Sequence, residues 1–139
     1  MIDIQDSRYR ISVKWLIFDD KGDVLLCKEE DGKRDFPGWG IDPWETIEQC
    51  IHRELKEEMW LEVIAIEARP LCYIKAENEA SEKRPFVGNV CYTIQVKNLD
   101  FTPSNECLEI WFFNKETIKT IDVFEHTVIP IFEEISKNM

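Results

Sequence analysis

Residues 38–61 read G-W-G-I-D-P-W-E-T-I-E-Q-C-I-H-R-E-L-K-E-E-M-W-L. The front of this stretch, with Phe36 and Pro37 before it, is dense in proline and glycine and has to be irregular. Behind it, Ile47, Ile51, Leu55 and Met59 recur every fourth residue, which predicts a helix over Thr46–Trp60 with one apolar stripe. Thr46 is a plausible N-cap, and Glu45 or Pro43 could also set the start. At about 100° per residue, Glu58 lies about 40° from Glu54, and Glu57 about 60° on the other side. Glu54, Glu57 and Glu58 therefore share one face beside the stripe. Three carboxylates so close repel and raise one another's pKa unless a cation sits among them. Hard oxygen ligands grouped in this way suit Mg2+ or Mn2+. A solvated Glu/Lys face would give the same helix spacing, with Arg53 an ordinary ion-pair residue.

On the N-terminal side, Arg10–Asp19 is rich in β-branched and apolar residues. The turn Asp20-Lys21-Gly22-Asp23 and a second apolar run, Val24–Lys28, follow it, and the pair reads as a hairpin. On the C-terminal side, Leu61–Ala68, Leu71–Lys75, Phe86–Val96 and Cys107–Phe113 read as strands, with a polar loop over Ala76–Pro85. Asn114–Thr120 reads as a short helix, and Phe124–Lys137 as a closing amphipathic one. This order predicts an α/β fold with a mixed β-sheet between helices. No repeat, linker or low-complexity stretch divides the chain, so 1–139 is expected to be a single domain.

The whole-chain arithmetic agrees. At 139 residues, 44% hydrophobic and 32% charged, the chain can bury a core without disulfide or metal staples. The net charge of −11 leaves no basic footprint, which argues against a nucleic-acid backbone binder and against adhesion to an anionic membrane. An anionic substrate remains open to an acidic protein if a metal ion sits between them. No apolar run approaches 18 residues and MIDIQDSRYR contains no signal-peptide core, so a cytoplasmic location is expected. Five cysteines with no CxxC pair read as reduced, mostly buried thiols.

Taken together, P-G-x-G-x-x-P-x-E-x7-R-E-L-x-E-E resembles the box of the Nudix (MutT-like) hydrolases, G-x5-E-x7-R-E-U-x-E-E-x-G-U. Glu45, Arg53, Glu54, Leu55, Glu57, Glu58 and Leu61 match at the right spacings. The resemblance implies an α/β/α sandwich that hydrolyses a pyrophosphate bond in a nucleoside diphosphate linked to another group. A small nucleotide such as a (d)NTP suits the chain length. It further implies that Glu54, Glu57, Glu58 and the Gly38 carbonyl bind the divalent cations, Mg2+ or Mn2+. Arg53 would orient a glutamate, and Glu45 would stabilise the loop–helix junction. A glutamate not fully engaged with metal can take the proton from the attacking water. Glu54 is one candidate, and Glu106, in the loop before the Cys107–Phe113 strand, is another. A homodimer is a family-level expectation. The rival is a Nudix-fold nucleotide-binding module without turnover.

The remaining candidates read more plainly. His52 and His126 read as surface residues. Phe86, Tyr73, Tyr92 and Phe112 read as core aromatics, and Lys75, Lys83 and Arg84 as solvated cations that could meet phosphates.

The chain departs from the box at its glycines. Trp39 stands at the first of them, Trp44 before Glu45, and Trp60 after the helix, where a left-handed cap is expected. Trp15 and Trp111 also sit where a small residue is common. Glycine is only 5 of 139 residues and tryptophan is also 5. Exchanging them gives 10 glycines, close to the usual ~7%. Two readings follow: glycine codons read as tryptophan, or a divergent subfamily with aromatics around its pocket. The rival binding module would draw its loss of turnover from Trp39, Trp44 and Trp60.

Overall fold

The structure, a computed structural model, describes residues 9–75 and 86–138. Eight strands, β1 (Tyr9–Leu16), β2 (Val24–Lys28), β3 (Arg34–Asp35), β4 (Gly38–Gly40), β5 (Val63–Ile66), β6 (Cys72–Lys75), β7 (Phe86–Val96) and β8 (Glu109–Phe113), form two sheets. Helix α1 (Ile47–Met59) follows β4, and a 3-10 turn (Thr117–Thr120) precedes helix α2 (Glu125–Lys137). The larger sheet runs β4-β1-β7-β5, with β6 also on β7; only the β1–β7 pair is parallel. The smaller sheet, β3-β2-β8, is antiparallel throughout.

Side-chain alternation along the strands sorts the core into two halves. Val13, Trp15, Ile17, Leu25 and Cys27 pack with Cys50, Ile51, Leu55 and Met59 of α1. Their neighbours Leu16, Val24 and Leu26 pack with Val128, Ile131, Phe132 and Ile135 of α2. The sheets therefore lie between α1 and α2, the expected α/β/α arrangement.

The expected hairpin needs correction. A turn does join β1 to β2, with Asp19 N–H donating to the Asp23 carbonyl at 2.9 Å. Yet the two strands meet only at the Phe18–Val24 bridge and belong to different sheets. Both edges of β1 are taken, by β4 and by β7, so a contact far along the chain displaces the local pairing. Tyr73, read as a core aromatic, is 59% exposed, while Phe86, Tyr92 and Phe112 are half-buried. All five cysteines are free, and four of them are buried. Among the described residues no helix is long and apolar enough to cross a membrane. The loop read over 76–85, with Lys83 and Arg84, lies outside the described residues.

Candidate functional site

Helix α1 starts where its sequence says it should. Thr46 Oγ1 accepts from Gln49 N–H at 3.1 Å, and Gln49 Oε1 accepts from Thr46 N–H at 2.9 Å, closing a capping box. The stripe of Ile51, Leu55 and Met59 faces the sheet, and this sets the angle of every other side chain on the helix. Glu54 and Glu58, one turn apart, are carried to the buried flank, at 7% and 5% exposure.

Glu106 meets them from the loop before β8. One carboxylate oxygen from each of Glu54, Glu58 and Glu106 lies within 4.8 Å of the others. The loop that carries Glu106 is tied to the end of α1: Ser104 Oγ donates to the Glu58 carbonyl at 2.7 Å, and Thr102 N–H to the Met59 carbonyl at 2.9 Å. Burial first, then the charges of Glu106 and Glu54, push the Glu58 carboxyl up to about 9. Three hard oxygen donors that repel one another in a half-buried pocket fit a small divalent cation.

Glu57 is not brought into this group. It points to solvent on the opposite side of the shared face, and its carboxylate pairs with Arg53 Nη1 at 3.2 Å. The face read as three equivalent carboxylates is thus split: with the apolar stripe packed in the core, Glu54 and Glu58 are buried and Glu57 is exposed.

Arg53 links the loop to the helix. Its Nε and Nη2 grip both oxygens of Glu45, Nε at 3.0 Å, and its Nη1 donates to Glu54 Oε1 at 2.6 Å. Glu45 also accepts from Asp42 N–H at 2.9 Å. The Arg53 hydrogen bonds, then the Asp42 one, hold the Glu45 carboxyl down at about 2. A charge-assisted fork of this kind fixes direction as well as distance.

The floor of the pocket is Gly38, whose φ is +127° and whose Cβ, if it had one, would lie 2.0 Å from the Val13 carbonyl oxygen. Its carbonyl accepts from Lys14 Nζ at 3.2 Å. Lys14 is buried, and its ammonium also meets Asp35 Oδ2 at 3.2 Å and the Phe36 carbonyl at 3.3 Å. Burial opposes the Lys14 charge, but the charge and hydrogen bond of Asp35 leave its pKa above the ordinary value. Lys14, Gly38, Trp39, Glu29, Glu58 and Glu106 line a cavity of about 140 Å³. Burial, then the Asp35 charge, push the Glu29 carboxyl up to about 7. Lys14 and Glu29 lie outside the residues that the sequence motif marks. The signal for Lys14 was a lone cation inside the apolar run V-K-W-L-I-F; Glu29 gave none, since it sits in an ordinary charged loop.

His52 and His126 are exposed and stand apart from the carboxylates. Lys75 is exposed too, its ammonium 5.5 Å from the Phe86 ring centre.

Known proteins resemble this chain in sequence and fold. Residues 8–130 match the family profile described as NUDIX domain. The nucleoside triphosphatase NudI of Enterobacter sp. (strain 638) is 28% identical over 122 residues, spanning 80% of this chain and 86% of the relative. The protein of the same name from Klebsiella pneumoniae is 28% identical over 134 residues, spanning 89% and 95%. Among solved structures, the MutT protein from Methanosarcina mazei Go1 superposes with a TM-score of 0.77 at 21% identity, covering 96% of this chain and 97% of that one.

Proposed function

This chain belongs to the NUDIX domain family of pyrophosphohydrolases, and from that premise we propose that it cleaves the pyrophosphate linkage of a small nucleotide, a nucleoside triphosphate above all. The substrate class is drawn from the nucleoside triphosphatases that it resembles along most of its length. The observation that carries the reading is the convergence of Glu54, Glu58 and Glu106 oxygens within 4.8 Å.

In this reading Glu54, Glu58 and Glu106, with the Gly38 carbonyl, would hold Mg2+ or Mn2+. Glu57, exposed at the solvent edge, would serve an ion brought in with the phosphates. A divalent cation so bound would neutralise the phosphate oxygens and polarise the attacking water. The chain's own residues do the rest. Arg53 holds one oxygen of Glu54 and fixes the direction of the other, which would either meet the cation or receive the proton of that water, and this keeps Glu54 a candidate base. Glu106 is the second. Glu45, anchored by Arg53, keeps the loop 38–45 at a fixed height over the helix. Glu58 would hold such a cation as a carboxylate, its proton given up to solvent, because carboxylate ligands bind metal in their ionised form. Lys14 keeps the Phe36 and Gly38 carbonyls facing the pocket.

A module without turnover would gain nothing from three repelling carboxylates at one point, so the enzyme reading is preferred. The test is a panel of ribo- and deoxyribonucleoside triphosphates, ADP-ribose, a nucleotide sugar and a dinucleoside polyphosphate, each incubated with and without Mg2+. Release of pyrophosphate and monophosphate from triphosphates, abolished by a chelator, is expected. Binding of a nucleotide with no product from any member of the panel would return the module reading.

A further inference from the structure

We infer that glycine, not tryptophan, occupies positions 15, 39, 44, 60 and 111 in the protein as its own organism makes it, the gene carrying the codon UGA at all five. UGA is glycine in some genetic codes and tryptophan in others. The inference stands apart from the activity proposed above, because it rests on backbone conformation and burial.

Trp60 caps α1 with φ 57° and ψ 30°, the left-handed region, and is the only non-glycine residue with positive φ among those described. That conformation is disfavoured by any Cβ and is the usual place of a cap glycine. Burial does not compensate: the residue is 64% exposed. Trp39, Trp44 and Trp111 are 62%, 81% and 67% exposed, so four of the five largest side chains in the chain lie in water. Tryptophan is ordinarily highly buried. The fifth, Trp15, is fully buried, and its indole Nε1 has no hydrogen-bond partner, although a buried indole N–H usually finds one.

A shared aromatic function does not account for the set. Trp44 and Trp60 flank opposite ends of a 13-residue helix, which spans on the order of 20 Å. Trp111 lies in the smaller sheet, opposite Leu26, and Trp39 in the larger one. Five positions scattered over two sheets, a turn and a helix end do not make one stacking platform. Trp60 sits in a backbone conformation that favours glycine, Trp39, Trp44 and Trp111 bury little of their indoles, and Trp15, though packed in the core, leaves its indole N–H without a partner.

The consequence falls on the site. Gly38 and Trp39 line the cavity that Glu58 and Glu106 also border, so glycine at 39 would place two consecutive glycines on its lining. Bare backbone there would give a phosphate chain a closer approach than a side chain allows.

The experiment is mass spectrometry of the protein purified from its native source, with sequencing of the five codons. Expected are peptides with glycine at positions 15, 39, 44, 60 and 111, and UGA at each. A native peptide with tryptophan at any of these positions, or a UGG codon at any, would overturn the inference. The readout is mass and codon identity, so it is decided whether or not the protein hydrolyses any nucleotide.

Discussion

Trp60 holds the left-handed cap of α1 with an indole that stays mostly in water. The cap N–H still bonds the Lys56 carbonyl at 3.0 Å, so the turn itself is sound and only the side chain is at odds with it. Trp60→Gly is expected to stabilise the protein by about 1 kcal/mol, the size of the penalty that a Cβ meets in this region. The little apolar surface that the indole covers offsets only a small part of this. Denaturant unfolding of parent and variant measures it; a variant less stable than its parent would mean that the indole has found a useful contact. Glu58 gives a second prediction at this scale. Its folded-state pKa is raised from 4.5 to about 9, so the folded chain keeps a proton that the unfolded chain has released. Stability of the metal-free protein therefore falls as pH rises from about 4.5 through about 9. Glu29, raised to about 7, contributes with the same sign at the lower end, so the interval from pH 7 to 9 carries the Glu58 contribution without that of Glu29. Glu58→Gln should flatten the melting-temperature curve in that interval. An equal slope in parent and variant would contradict the assignment.

At the scale of the element, α1 carries the site because its start is fixed. The Thr46–Gln49 box satisfies backbone donors that the first turn would otherwise leave open. Thr46→Ala should cost about 1 kcal/mol, read from the unfolding midpoint; no loss would mean that packing alone sets the helix start. This element was legible in the sequence, since a four-residue apolar period, a T-x-x-Q start and a helix end at residue 60 are all local signals. The pairing of β1 was not legible. Its turn at Asp20–Asp23 is local and real, but its partners β4 and β7 are chosen by the packing of the sheet, and β7 lies some seventy residues along the chain. The split of the glutamate face shows the same limit. Helix periodicity puts Glu54, Glu57 and Glu58 on one side, yet only the contact of the apolar stripe with the sheet decides which of them turn inward. The ion pair of Glu57 with Arg53 then follows from its outward position.

At the scale of the whole molecule, a chain with a net charge of −11 gathers still more negative charge at one point. Such a concentration is tolerable because Glu58 takes up a proton in the metal-free state, Lys14 lies below the pocket, and a divalent cation can replace the proton. Glu106 enters this arrangement only through the fold: nothing in its own neighbourhood separates it from an exposed loop acid, and the tie from Ser104 to the Glu58 carbonyl is what delivers it. Glu106→Gln should accordingly lower kcat with little change in KM, as expected for a group that acts on the reaction more than on nucleotide binding. A rate within about twofold of the parent would return the base to Glu54 alone. The most direct measurement of the central claim is the steady-state rate of nucleoside triphosphate hydrolysis at saturating Mg2+, in the parent and in folded Glu58→Gln. The account predicts that the variant loses turnover by about two orders of magnitude or more, because the cation loses an ionised ligand at the centre of its cluster. A Glu58→Gln protein that hydrolyses the nucleotide at the parental rate would contradict it.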